Sequence, residues 1–393
     1  MKVIYLHQYF RTNASSGGTR SYEFSRHLLE QGVDVNVITG LEVESGEEHL
    51  EGKVFSTGTR YHNRMSFTRR ILAFLSYNLK AYSIGKRIGD GDLIFATSTP
   101  LTIGLPGVLL AKKLKKPLVF EVRDVWPDIP IELGYIKNPL VIKMLRKFEG
   151  WIYQNAEQII VLSKGMKRNL MDKGVPEERL TVIENIANLS LYEGVEGEKP
   201  EKLFRCIHPG TMGHVNGLDF VLDTAKILKE KDQEVVFDLV GEGKEKHRLK
   251  ERVKDEDLTN VIIRDAVPKK EIVAQVKGAH LGIMCVDNRY PILKDNSANK
   301  FFDFLAAGLP VMINYEGWQK EAIEGHRCGG AYLTPEEMAE AVLEIKNTPE
   351  KREEMGRNSQ RLAKEEYSDE LAKKKFEAVL RKAVKSSEHG SKH

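Results

Sequence analysis

The chain has 393 residues, 41% apolar and 30% charged, with a formal net charge of only +3. That length exceeds one ordinary core and predicts two domains, the composition excludes a disordered chain, and the near-neutral balance excludes a dedicated nucleic-acid binder. Cys206, Cys285 and Cys328 stand far apart, with neither a disulfide framework nor a paired zinc spacing, and suit a reducing cytoplasm.

Short β-branched runs alternate with helical patterns along the whole chain, the pattern of parallel sheets covered by helices, so the expected class is α/β with two doubly wound Rossmann-like domains. The opening MKVIYLHQYF is too short in its apolar part for a signal peptide, and the run Leu101 to Ala111 is broken by Pro106, so no membrane-crossing segment is expected. The first strand is Val3 to Leu6. The loop SSGGTRS follows it and opens a helix; Gly17 and Gly18 let backbone approach a ligand there. Further strands are predicted at Val33 to Ile38, Leu93 to Ala96, Leu118 to Val122 and Ile159 to Leu162. Between Thr59 and Gly89 lie seven Lys or Arg (Arg60, Arg64, Arg69, Arg70, Lys80, Lys86 and Arg87), no acidic residue, and interleaved aromatic and aliphatic side chains: a basic amphipathic segment. It suits an anionic membrane surface, against the plainer alternative of a solvated helical face.

Ligands of open parallel sheets bind outside the carboxyl ends of the strands. Arg123 and Asp124 directly follow the strand Leu118 to Val122, placing a cation for an anionic ligand beside a carboxylate that binds hydroxyls or accepts a proton. The plainer alternative is an ion pair capping the strand. The first domain is expected over 1–186, a polar linker without hydrophobic period over 187–202, and a second domain over 203–367. This second series starts with the strand Leu203 to Ile207 and the loop HPGTMGHVNG, where Gly210 and Gly213 shape a phosphate cradle with Thr211 and His214 between and beside them. His208 and His214 lack a third ligand for a metal, and a histidine bonded to backbone is the expected reading. Strands follow at Val235 to Val240, Val261 to Ile263, Leu281 to Val286 and Val311 to Ile313.

The stretch DNSANKFFDFLAAGLP predicts a helix opened by Asn296 or Ser297 and stopped by Gly308. Were the helix to run back to Asp295, then Asp295, Asn299 and Asp303 would share one face with Lys300 beside them. Phe301, Phe302, Phe304 and Leu305 leave little of this helix to solvent, so the polar residues need partners other than water. A last helix over 368–384 is expected to pack back on the first domain, and the tail 385–393 to be disordered.

Together these stretches resemble the retaining nucleotide-sugar glycosyltransferases of glycosyltransferase family 4, with GT-B architecture: two Rossmann-like domains facing a central cleft. NKFFDFLAAGLPVM resembles the family's Ser-Lys-x-x-Glu-Tyr-x-Ala-x-Gly-x-Pro-Val segment, LVGEG (with Gly241 and Glu242) its glycine turn near the nucleotide, and VIENIAN its Val-Ile-Pro-Asn-Gly-Val-Asp element. The resemblance implies that Gly17 and Gly18 approach the donor, Lys300 neutralises the diphosphate, Asp303 holds the ribose and Asp295 faces the transferred sugar. Arg123-Asp124 falls where many members carry His-Asp, and Arg-Asp-x-Trp-Pro resembles the branch acting in polysaccharide and lipid-linked oligosaccharide assembly. Both members of the family's Glu-x7-Glu pair are Asp here, and Thr211 and Asn216 replace its usual Arg and Lys.

The implied activity is retaining transfer of a sugar, an N-acetylhexosamine on UDP by analogy with that branch, to a lipid-linked or polysaccharide acceptor. No cofactor or metal is expected, and the enzyme would sit peripherally at the inner face of the cell membrane. Two rivals remain at this point: a non-hydrolysing sugar-nucleotide epimerase and a catalytically silent nucleotide-sugar-binding scaffold.

Overall fold

The computed structural model describes residues 1–12, 20–40, 53–59, 65, 67–200 and 202–390. The chain divides into two compact units, Met1–Glu184 with Ala372–His393, and Asn185–Leu371.

In the first unit the described residues form one parallel sheet. Its strands are β1 (Lys2–Leu6), β2 (Asp34–Thr39), β3 (Val54–Ser56), β4 (Leu93–Thr97), β5 (Leu118–Val122), β6 (Gln158–Val161) and β7 (Leu180–Val182), in the order β3-β2-β1-β4-β5-β6-β7. Sequences such as VIYL and LVFEV are buried almost throughout, because helices cover both faces of a parallel sheet and leave no polar side for alternation. The second unit repeats the plan with β8 (Phe204–Pro209), β9 (Val235–Val240), β10 (Val261–Arg264), β11 (Leu281–Met284), β12 (Val311–Ile313) and β13 (Gly329–Ala331), ordered β10-β9-β8-β11-β12-β13. Both orders reverse direction once, between β1 and β4 and between β8 and β11. A crevice for ligands opens at such a reversal in doubly wound sheets.

The chain segment 187–202, read from the sequence as a linker, departs from that expectation. Ala187 and Tyr192 are buried in the core of the second unit, Leu189–Leu191 forms a turn of 3-10 helix, and Ala187 pairs with Ser368. Isolated buried side chains in a polar stretch leave no periodic signal. The last helix runs over Asp369–Gly390, longer than expected, and its Phe376 stacks on Phe24 at 4.3 Å within the first unit. The segment SSEHG continues that helix, against the expectation of a disordered tail.

The helix Asn299–Ala307 explains its phenylalanines. Phe301, Phe302 and Phe304 are fully buried, and the first two meet Trp318 and Tyr367 with ring centroids 5.4–6.3 Å apart. Gly308 ends the helix at φ 75°, a left-handed conformation, with its N–H closing on Leu305 and Phe304 carbonyls.

Candidate donor site

At the carboxyl end of β8, where the second sheet reverses, the chain sets a histidine and a lysine face to face. His208 is fully buried near the end of β8, next to the buried Cys206 and Ile207. Its Nδ1 donates to the carbonyl of Ile283 on β11 at 3.1 Å, which fixes the tautomer and leaves Nε2 as an acceptor. Lys300, in the first turn of the helix Asn299–Ala307, donates to that Nε2 at 2.8 Å. Burial and then the Lys300 charge hold the His208 pKa well below 6.5, so the ring stays neutral.

Lys300 itself is buried, and no carboxylate is paired with it among the described residues. Desolvation lowers its pKa from 10.5 to about 8. Beside it stands Gly210 at φ 122°, where an added Cβ would lie 3.3 Å from Lys300 Cε and 3.4 Å from Nζ. Glycine there spares a conformation that other residues rarely adopt and leaves the ammonium reachable along the backbone. Gly241 packs still more tightly: a Cβ on it would strike the Gly210 carbonyl oxygen at 1.7 Å. The neighbouring Glu242 joins this arrangement through its carbonyl, which accepts from Met212 N–H at 2.8 Å, while its carboxylate is exposed and paired with Lys246.

Asp303 lies one helical turn beyond Lys300, but the two do not pair with each other. Lys269 donates to Asp303 Oδ1 at 2.7 Å. On Tyr192, burial first and then the Asp303 charge raise the phenol's pKa, so the carboxylate works beside a neutral hydroxyl. Asn299 is exposed at the start of the helix.

The structure corrects the placement of Asp295. The helix does not reach back to it: Pro291–Asp295 is a separate turn of 3-10 helix, and Asn296 and Ala298 are extended, with ψ 158° and 134°. Asp295, Asn299 and Asp303 therefore share no continuous helical face. The cause is local capture of the connecting residues. Asn296 Oδ1 accepts from Ala298 N–H, the Trp318 indole donates to Asn296 O at 3.0 Å, and Asn185 Nδ2 donates to Ser297 O at 2.5 Å. For the same reason neither Asn296 nor Ser297 caps the helix; Ala298 precedes it, with no side-chain cap bond.

In the glycine loop Thr211 is exposed, and Gly213 N–H donates to Asn216 Oδ1 at 3.2 Å. The His214 ring lies 3.6 Å from Asp287 Oδ2 and edge-on to Tyr290. A cavity of about 530 Å³ opens beside this loop, lined in part by Gly213, His214, Gly217, Asp287 and Asn314.

In the first unit, Gly17 and Gly18 lie outside the described residues. Asp124 is exposed and accepts from Thr99 Oγ1 at 3.0 Å, while Arg123 is anchored by its N–H to Ser98 Oγ at 2.9 Å. No ion pair between Arg123 and Asp124 is formed among the described residues. Arg20 and Glu121 form a fully enclosed ion pair: Arg20 Nε donates to Glu121 Oε1 at 3.0 Å, its NH2 donates to Ile183 O at 2.8 Å, and Thr97 Oγ1 donates to Glu121 Oε2 at 2.5 Å. This ties the helix Arg20–Glu30, which follows the first glycine loop, to the middle of the sheet. A further cavity of about 670 Å³ lies at the amino ends of β5 and β6 and takes no part in the site.

Two partners in this candidate site were not assigned from the sequence. His208 had one signal available, a titratable residue directly following the buried apolar pair Cys206 and Ile207. Lys269 had none, since its contact with Asp303 spans 34 positions.

Comparison with known proteins bears on both units. The Glycosyltransferase Family 4 model matches residues 17–191, and the Glycosyl transferases group 1 model matches residues 195–362. The "Putative colanic acid biosynthesis glycosyl transferase WcaI" of Escherichia coli (strain K12) is 24% identical over 176 residues, 41% of this chain and 43% of that protein, so the match spans less than half of its length. "Alpha-monoglucosyldiacylglycerol synthase" of Streptococcus pneumoniae is 23% identical over 299 residues, 71% of this chain and 64% of that protein. Among solved structures, Anabaena Alr3699/HepE in complex with UDP superposes with a TM-score of 0.72 at 15% identity, covering 97% of this chain and 100% of that one.

Proposed function

The chain is a glycosyltransferase of GT-B fold, with a Glycosyltransferase Family 4 part followed by a Glycosyl transferases group 1 part, and we propose that it transfers a sugar from a UDP-linked donor to a lipid-linked sugar or polysaccharide precursor, with retention and without a metal. The observation that carries this reading is Lys300. A buried ammonium whose hydrogen-bond partner among the described residues is a neutral imidazole is unfavourable in the free protein, and an anion held against it removes the penalty. A diphosphate meets that requirement, with Gly210 beside it for close approach.

In the proposed reaction the bond from the anomeric carbon to the donor's phosphate oxygen breaks while the acceptor hydroxyl oxygen bonds to that carbon on the same face. The acceptor's proton passes to the departing phosphate oxygen. Lys300 stabilises the charge that develops on the diphosphate, and fixed donors of this kind act by electrostatics that need no rearrangement during the step. Asp303, oriented by its bond from Lys269, accepts from the ribose hydroxyls. Asp124 orients the acceptor hydroxyl, and Arg123 supplies positive charge next to it. The N-acetylhexosamine rests on the resemblance to the Arg-Asp-x-Trp-Pro branch, and the acceptor class on the likeness to a putative colanic acid biosynthesis glycosyl transferase and an alpha-monoglucosyldiacylglycerol synthase.

Membrane attachment at the cytoplasmic face is supported by the helix Phe67–Ile88. Leu72, Leu75 and Leu79 project from it, 50–74% exposed, at i, i+3 and i+7. Arg69, Lys80, Lys86 and Arg87 are exposed on the same helix; Arg60 and Arg64 of the basic segment fall outside the described residues. Such a face lies in an anionic interface, each basic residue contributing about 1 kcal/mol. None of the described helices is long and apolar enough to cross a membrane.

The test is a transfer assay with UDP- and GDP-sugars and a polyprenyl-diphosphate-linked sugar as acceptor. Acceptor-dependent release of UDP that survives EDTA, with the donor's anomeric configuration kept in the product, is expected. A new sugar nucleotide formed without acceptor would establish an epimerase instead, and donor binding without turnover on lipid-linked or soluble acceptors would establish the scaffold.

A further inference from the structure

We infer that His208 is a positioning residue for the donor diphosphate: its Nε2 holds the Lys300 ammonium in place beside Gly210 and keeps it charged before the donor binds. The inference rests on the donor-site reading and deepens it. Its basis is the directionality of the two bonds. Nδ1–H is committed to Ile283 O on β11, so Nε2 has only a lone pair to offer, and Lys300 Nζ has only hydrogens. The ring therefore bridges the two strands between which the sheet reverses and turns one N–H of Lys300 toward β8. The remaining hydrogens are left for an anion.

A neutral acceptor is a better companion than a carboxylate for this task. A carboxylate would neutralise the lysine, compete with the phosphate and have to be released at each turnover. The imidazole gives the ammonium a charge-assisted bond without cancelling its charge. The titratable groups facing Lys300 are His208 itself, the last but one residue of β8, and Cys285, just past β11, whose thiol burial pushes up to about 12. Both stay uncharged from pH 6 to 9. Lys300 then sets an alkaline limit on diphosphate binding: affinity falls as pH rises through about 8, where the free protein loses the proton that the bound anion needs.

Two substitutions separate the two bonds of the ring. In His208→Asn the amide sits where Nδ1 was, so the bond to Ile283 persists and the one to Lys300 is lost. In His208→Gln the amide oxygen reaches the place of Nε2. Binding of UDP, with GDP as a second probe, is measured by calorimetry from pH 6 to 9 on the full chain, with melting curves for each variant. We expect His208→Asn to weaken binding at least tenfold at pH 7.5 and to move the onset of the alkaline loss about one pH unit lower, and His208→Gln to stay within about threefold of the parent. Equal effects of the two variants, or an unchanged onset in His208→Asn, would overturn the inference, because a purely structural histidine changes melting but not the onset. Lys300→Met provides the separation from the donor-site reading. If it abolishes binding while His208→Asn does not weaken it, only the inference falls; if Lys300→Met binds UDP and GDP like the parent, the donor-site reading fails and takes the inference with it.

Discussion

Replacing Lys300 by methionine should make the free protein more stable while removing its response to donor. The drop in the lysine's pKa from 10.5 to about 8 corresponds, at 1.36 kcal/mol per tenfold change in proton affinity, to about 3 kcal/mol of destabilisation at neutral pH. Folded Lys300 holds its proton less tightly than unfolded Lys300. The penalty is thus fully present below pH 8, is relieved as pH rises toward 10.5, and is absent above that. Methionine fills similar space and removes the charge, but it leaves His208 Nε2 without its donor, an orphaned buried acceptor that costs about 1–2 kcal/mol. The net gain at pH 7 is about 1–2 kcal/mol, or roughly 3–6 °C in the melting of the second unit.

Differential scanning calorimetry at pH 7 and pH 10 reads both terms. The orphaned imidazole is neutral throughout and contributes equally at each pH, so the variant's advantage over the parent should shrink on going to pH 10. Saturating UDP, at about a hundredfold above its dissociation constant, should stabilise the parent by about 2.7 kcal/mol and the variant hardly at all. An advantage that stays flat or widens with pH would refute the reasoning, as would a variant that UDP stabilises as strongly as the parent.

Other outcomes follow from the same geometry. Arg20→Met leaves Glu121 buried without its cation and should destabilise the first unit by about 3–5 kcal/mol at pH 7. Burial pushes the Glu121 carboxyl up, but the charges of Arg20 and Arg123 and the Thr97 hydroxyl outweigh it and hold its pKa below 4.5. The pair's stabilisation is therefore present above that value and lost as pH falls through the folded one, whereas the variant should gain relative to the parent on acidification; melting curves between pH 3 and 7 that run parallel would contradict this. Asp303→Ala should erase the preference for UDP over 2′-deoxy-UDP, roughly 10- to 100-fold if the carboxylate accepts from the ribose, and an unchanged preference measured by competition would remove Asp303 from that role. Leu72→Asp, Leu75→Asp and Leu79→Asp together should abolish flotation with vesicles rich in anionic lipid, with transfer to a soluble acceptor retained; undiminished flotation would dismiss the helix Phe67–Ile88 as the contact.

Much of the fold was legible because parallel strands buried on both faces write themselves as apolar runs. β5, β9 and β12 occupy the residues that the sequence predicts, and Gly308 stops its helix where expected. The three-residue strands β3, β7 and β13 escaped notice because, unlike the equally short but fully buried apolar run of β12, they are only partly buried and include polar residues or glycines. In the proposed donor site, the sequence singles out Lys300 and Asp303 as a polar edge on an otherwise apolar helix. The shared face of Asp295, Asn299 and Asp303 required a helix running back to Asp295, and that condition fails because side-chain bonds to Ala298 and from Trp318 and Asn185 hold Asn296–Ala298 extended.

By itself, then, the sequence determined two doubly wound units and the helix bearing the cation, since both depend on periods of two to four residues along one chain. Only the tertiary structure decided that Lys300 faces His208, 92 positions away, and that Asp303 faces Lys269 instead of Lys300. The order of strands brings those pairs together, and the desolvation that accompanies it changes the chemistry of the lysine. Neither is encoded in local spacing, because burial is a property of everything packed around a side chain.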